Sequence, residues 1–173
     1  MQINYRKSLK FLTLLITAIL IGSVSAEVYR YMYIEGTISV TGAKLVWLEG
    51  ADVDSTITGS TAIFTLNVEE GTPVNFTEAL FLKNTNGTGS FNYNITITQA
   101  LSSSDFERAN MYIYENYTSQ PSWTHNDTLN LTNINDYSSG ALAAGNYLRM
   151  TIEVNATNTN GGTFKVRVEY WAP

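Results

Sequence analysis

Cysteine is absent from this 173-residue chain and histidine occurs once, so two kinds of construction are excluded at the outset. No disulfide framework can staple the fold, and neither a thiolate metal site nor a His-x-x-x-His pair on a helix can be built. Basic residues are also few, with 10 Lys+Arg against 15 Asp+Glu, and three of the ten (Arg6, Lys7, Lys10) stand together near the N-terminus. A nucleic-acid partner is not expected, because a phosphate backbone would be repelled. Proline is scarce at three residues. The longest apolar stretch runs only from Phe11 to Ile21, well short of the ~20 residues that cross a bilayer as a helix.

That stretch follows the three basic residues and closes on Val24-Ser25-Ala26, the layout of a secretory signal peptide cut after Ala26. The domain expectation is therefore 1–26 as cleaved signal, 27–36 as an N-terminal strand with a hinge, and 37–173 as one β-sandwich. Loss of the signal leaves the mature chain with a net charge near −8 and no membrane segment. Its length suits one domain with a real core. The protein is expected to be secreted and to work outside the cell.

Period-two alternation dominates the mature chain. In Phe91-Asn92-Tyr93-Asn94-Ile95-Thr96-Ile97-Thr98 apolar and polar residues strictly alternate, as in a half-buried strand. Leu148, Met150, Ile152 and Val154 alternate with Arg149, Thr151, Glu153 and Asn155 in the same way, and Phe164, Val166, Val168 and Tyr170 with Lys165, Arg167 and Glu169. Further strands are expected near 27–40, 44–48, 62–68, 75–83 and 111–116. Glu70-Gly71-Thr72-Pro73, Asn86-Gly87, Gly145-Asn146 and Gly161-Gly162 punctuate them as turns. The fold class is all-β, a single jelly-roll or Ig-like β-sandwich with at most one short helical turn. Ser104-Asp105-Phe106-Glu107 has the form of a capping box and is where that turn is expected. Residues 116–137, rich in Asn, Thr and Ser, read as a long loop or a weak edge excursion.

Little in this inventory assembles into a catalytic constellation, and no enzyme activity, cofactor or metal is expected. His125 reads as an exposed loop residue. The pairs Asp52 with Asp54 and Glu69 with Glu70 lack the ligand spacing of a calcium loop and read as solvated charge. Asn-x-Thr sequons are the most distinct local chemistry, beginning at Asn75, Asn86, Asn94, Asn116, Asn126, Asn130 and Asn155. Asn94 and Asn155 fall on the polar faces of their strands, so N-glycans there could stand in water.

The N-terminal segment Glu27-Val28-Tyr29-Arg30-Tyr31-Met32-Tyr33-Ile34-Glu35 has strand-forming residues on both faces and then meets Gly36. A strand apolar or aromatic on both sides expects cover on both. It can be the ordinary first strand of its own sheet. Alternatively, with Gly36 as hinge, Val28, Tyr29, Arg30, Tyr31, Met32, Tyr33 and Ile34 can fill a vacancy in a neighbouring copy and propagate a head-to-tail homopolymer. Both readings stand on the residues alone.

Several ordered motifs resemble those of the TasA and camelysin family of extracellular biofilm fibre proteins and their relatives among archaeal bundling pili and threads. After a leading strand comes the Gly-Thr-hydrophobic step Gly36-Thr37-Ile38-Ser39-Val40. Next come the strand Phe64-Thr65-Leu66-Asn67-Val68, the turn Glu70-Gly71-Thr72-Pro73, and a long strand ending in the corner Leu82-Lys83-Asn84-Thr85-Asn86-Gly87. An acidic-Phe turn (Ser104-Asp105-Phe106-Glu107) and a closing strand with an aromatic exit (Phe164 through Tyr170-Trp171) complete the series. The resemblance implies a jelly-roll subunit whose N-terminal strand completes an adjacent subunit's sheet, in a filament that serves cell adhesion or biofilm formation. The chain is shorter than the bacterial fibre formers, lacks their Lys-rich tail and is richer in sequons, which leans toward the archaeal pili. Camelysin has been described as a protease, but no metal site is visible here and that activity is not carried over. Bundling with other filaments, and cross-linking through Lys44, Lys83 or Lys165, are left open. The alternative reading is a monomeric surface-binding module in which Trp123 and Tyr117 line a carbohydrate site; a hydrolase using Glu69, Glu70 and His125 is a third.

Overall fold

The computed structural model describes residues 31–40, 44–58, 60–116 and 122–172. Eleven strands and no helix make up these residues: β1 Tyr31–Val40, β2 Leu45–Glu49, β3 Asp54–Thr58, β4 Thr61–Glu69, β5 Val74–Asn84, β6 Phe91–Gln99, β7 Phe106–Asn116, β8 Trp123–Asn130, β9 Tyr137–Leu142, β10 Tyr147–Ala156 and β11 Gly162–Trp171. They form two sheets packed as a sandwich, one ordered β3-β4-β1-β11-β6-β9 and the other β2-β5-β10-β7-β8. The all-β sandwich expected from the alternation is what the chain forms.

The core is the set of apolar residues that alternation assigns inward. From the six-stranded sheet come Ile38, Phe64, Leu66, Val68, Tyr93, Ile95, Ile97, Phe164 and Val168; from the other, Trp47, Leu80, Leu82, Met111, Ile113, Leu148, Met150, Ile152 and Val154. Trp47, the largest side chain inside, directs its indole Nε1–H to the carbonyl of Ser60 at 3.0 Å, so its burial leaves no orphan donor. β10 carries a register shift between Met150 and Ile152, and the Thr151 hydroxyl in that irregularity donates to the carbonyl of Thr77.

Asn84 is fully buried at the end of β5. Its Nδ2 points at the carbonyls of Gly89, Leu142 and Ala143, while its Oδ1 accepts from the backbone of Asn86. A buried amide costs free energy unless its groups are paired. Here the pairing joins the β5–β6 corner to the β9–β10 corner, which accounts for the Lys83-Asn84-Thr85-Asn86-Gly87 motif. Gly71, Gly145 and Gly161, each in an expected turn, have positive φ, a conformation that a side chain would strain.

One expectation is corrected. Ser104-Asp105-Phe106-Glu107 forms a hydrogen-bonded turn, with Asp105 N–H donating to Ser102 C=O, and β7 begins at once at Phe106. Tertiary pairing overrides the capping box: Phe106 is buried, Glu107 accepts from Asn155 on β10, and the Asp105 carboxylate accepts from Asn158 and Asn160. Of the two readings of 116–137, a long loop or a weak edge excursion, the described residues show the second: β8 lies at the edge of the five-stranded sheet, and β9 begins at Tyr137. Residues 1–26, assigned to the signal peptide, lie outside the described residues, as do Glu27, Val28, Tyr29, Arg30 and Tyr117.

Candidate functional site

Two regions concentrate what the rest of the sandwich lacks. The first is the seam around β1. This strand runs antiparallel to β4, from Tyr31 opposite Glu69 to Ser39 opposite Thr61, and parallel to β11, from Ile34 opposite Gly162 to Val40 opposite Val168. Among the described strands every other pairing is antiparallel. Among the described residues no backbone ladder joins β3 and β4 to β11, β6 and β9 except through β1. Among the described strands, β1 is therefore the piece that holds two halves of a sheet together.

The backbone runs straight through Gly36, which is buried and lies opposite both Phe64 and Phe164. Those two rings meet edge to face with centroids 5.7 Å apart. A Cβ on Gly36 would sit 2.2 Å from the Phe64 ring, so the absence of a side chain there is what lets Phe64 lie across the strand. In this arrangement Gly36 makes room for a ring and the chain does not bend at it. Of the donor-strand residues named from sequence, Tyr31, Met32, Tyr33 and Ile34 lie in β1.

The second region is the outer face of the five-stranded sheet. Strand registers place Leu48, Phe81, Arg149, Tyr114 and His125 in one row across all five strands. The adjacent row is Val46, Lys83, Tyr147, Asn116 and Trp123. These positions are out of phase with the core, where a solvated strand normally carries Thr, Ser or charge. The Arg149 guanidinium lies between two rings, 4.8 Å from the Tyr114 centroid and 4.7 Å from that of Trp123. Trp123 also leans on Phe81 at 5.8 Å, His125 packs edge-on to Tyr114 at 5.3 Å, and the Lys83 ammonium sits 4.9 Å above the Tyr147 ring. A cleft of about 400 Å³ opens here between Leu48, Glu49, Phe81, Asn116, Trp123 and Tyr147.

The polar end of the same face holds a different cluster. Glu153 accepts from the Tyr112 hydroxyl and from Arg108, and both bonds hold its carboxyl below the usual carboxylate range. The same bond raises the Tyr112 phenol, since losing its proton would put two negative charges together.

The residues considered for catalysis are not gathered. His125 donates to or accepts from Thr128 in β8. The Asp52 carboxylate accepts from the Glu78 backbone and the Thr77 hydroxyl, which lower its pKa, while Asp54 lies exposed in β3. Glu69 and Glu70 are exposed at the end of β4. Among the described residues no three His, Cys, Asp or Glu side chains are grouped to hold a metal ion.

The sequons are scattered over both sheets. Asn75 and Asn130 are exposed, and Asn130 Oδ1 accepts from Thr132 of its own triplet. Asn86, Asn94 and Asn116 are half-buried. Nδ2 of Asn126 is engaged by Glu115, and Nδ2 of Asn155 by Glu107.

Sequence reasoning singled out Trp123 on this face but not Phe81, Tyr112, Tyr114, Tyr147 or Arg149. Their signal was an aromatic residue or arginine on the phase of a strand opposite to its buried residues.

No family model matches the chain, and no curated protein matches it. Among solved structures, murine APRIL is similar at 14% identity and a TM-score of 0.32 over 70% of this chain and 94% of its own. A family 29 carbohydrate-binding module aligns over 75% of this chain and 90% of its own, at 14% identity and a TM-score of 0.29. Empty particles of cowpea mosaic virus give 11% identity, 86% and 90% coverage and a TM-score of 0.31.

Proposed function

We propose that this protein is the structural subunit of an extracellular filament that polymerises by donor-strand complementation, with cell adhesion or biofilm formation as its role. The observation that carries the reading is the position of β1. An N-terminal strand, parallel to its neighbour in an otherwise antiparallel sheet, is the sole ladder between β4 and β11. Such a strand can come from the same chain or from another copy, because the sheet needs the ribbon and not the covalent connection.

Exchange between copies keeps each hydrogen bond and each buried contact that the closed form makes. It therefore has little enthalpic cost, and the balance rests on the connection after Val40 and on what residues 27–30 add to the joint. A non-reciprocal exchange leaves each copy with one strand given and one received, so growth is open-ended. The ordered motifs that resemble those of the TasA and camelysin family and the archaeal pili agree with this reading, as does the signal-peptide layout read from residues 1–26.

Electron microscopy of the mature secreted protein tests it. Filaments resistant to detergent are expected, and removal of residues 27–35 is expected to abolish them while leaving soluble protein. Only discrete monomers from the intact mature chain, at concentrations up to saturation, would count against the reading.

A further inference from the structure

We propose that the aromatic rows on the outer face of the five-stranded sheet bind a linear polysaccharide that carries carboxylate groups. The site does not depend on strand exchange, since β1 belongs to the other sheet.

Three observations lead there. The first is shape. Two parallel rows cross all five strands, and at ~4.8 Å between strands they span about 19 Å. A straight, ribbed surface of that length, with Trp123, Phe81 and Tyr147 beside a cleft, fits an extended chain of rings better than a compact metabolite. Sugar rings present flat arrays of C–H groups that pack on the electron-rich faces of aromatic rings, while their hydroxyls stay wet at the rim.

The second is charge. The mature chain is near −8, yet two of its few cations, Lys83 and Arg149, stand within these rows. The ion pairs among the described residues are Arg108 with Glu153 and Arg167 with Glu169, so neither row cation is neutralised by a carboxylate there. Both are held over ring faces. A cation so placed keeps its charge for an acidic group arriving from solution. Glu49 also borders the cleft, at its β2 edge, and Glu115 on β7 is buried, where it accepts from Asn126 and Asn146.

The third is what the surface lacks for other occupants. A neutral sugar is recognised mainly through paired amides and carboxylates, and among the described cleft residues only Asn116 and Glu49 are of that kind. A single-stranded nucleic acid carries the same charge per unit as a uronic acid chain, so charge does not separate these two occupants and the titration below does.

The test uses the full mature protein and titrates it with a hexamer of galacturonic acid, a neutral cellohexaose and a hexamer of thymidylate, following heat and tryptophan fluorescence. The galacturonate hexamer is expected to bind, more weakly as salt is raised, with cellohexaose and the nucleotide at least about tenfold weaker. Arg149→Gln is expected to lose about tenfold in affinity together with most of the salt dependence. Trp123→Ala should abolish binding and Trp123→Phe keep part of it, so a folding defect in the alanine variant does not decide the matter. The proposal is overturned if the galacturonate hexamer does not bind, if Arg149→Gln binds it unchanged, if thymidylate is preferred, or if Trp123 is shielded by a second copy in the native assembly.

Discussion

The two sheets of this sandwich share a core but divide their outward chemistry. The five-stranded sheet is a continuous antiparallel ladder whose outer face carries rings and cations. The six-stranded sheet presents a mainly polar face, with Glu35, Asn67, Asn94, Lys165, Arg167 and Glu169 among its outward residues, and is held across its middle by one parallel strand. Weakness in one sheet is thus a matter of edge-to-edge pairing, and specialisation in the other is a matter of surface. The proposed assembly and the proposed recognition lie on opposite sides of the core, so either can be changed without the other.

The comparison breaks most readily at the seam. Phe64→Ala removes a ring that fills the space above Gly36 and is expected to cost about 3–5 kcal/mol. Gly36→Ala drives a Cβ into the same ring and is expected to cost about 1–3 kcal/mol. Because each change relieves what the other disturbs, the double variant should be more stable than additivity requires by at least about 1 kcal/mol. Urea denaturation of the four proteins measures this; strict additivity would mean that the ring and the glycine do not share the space.

On the opposite face the effect on folding is smaller. Trp123→Ala gives up contacts with Phe81 and Arg149 on an edge strand and is expected to cost about 1–2 kcal/mol by the same denaturation. A loss as large as that of Phe64→Ala would show that the rows are core and not surface.

The polar end of that face sharpens the contrast through pH. Glu153 is held below its ordinary carboxylate pKa by Tyr112 first and Arg108 second, so it binds fewer protons folded than unfolded. Its stabilising contribution is in full force above the unfolded carboxylate value of about 4.3 and is lost as pH falls through the lower folded value. Melting temperature should drop on acidification across that window, and Glu153→Gln should flatten part of the slope. The smallest effect concerns glycans: intact mass and peptide mapping are expected to find Asn75 and Asn130 occupied more fully than Asn126 and Asn155, whose amide nitrogens are engaged by carboxylates.

How much of this was legible in the sequence depends on where a strand lies in its sheet. Interior strands such as β6, β10 and β11 announce themselves because one face is buried by the partner sheet and the other is wet. The strands missed or only suspected are β3, β8 and β9, and each lies at a sheet edge. Asp54-Ser55-Thr56-Ile57-Thr58 and Tyr137-Ser138-Ser139-Gly140-Ala141-Leu142 bury too little to enforce alternation, and β8 also carries a register shift opposite Ile113 and Tyr114. The seam was half legible. Gly36 was singled out as a hinge after the leading strand, but its packing against Phe64 needs two strands brought together by register. The aromatic rows were hidden for the same reason, since Phe81, Arg149 and Tyr114 are distant in sequence and meet only when three strands pair.

The central claim is that β1 can belong to one copy while β4 belongs to the next, and the absence of cysteine makes this directly measurable. Glu35 and Thr65 stand opposite one another on the outer face of the seam, at a spacing between paired strands that a disulfide can bridge. Oxidation of the assembled Glu35→Cys, Thr65→Cys double variant, followed by denaturing electrophoresis without reductant, reads the connection. Donor-strand exchange predicts a ladder of covalent multimers that collapses to one band on reduction. A single monomer band carrying an internal disulfide, from filaments seen intact beforehand, would contradict it.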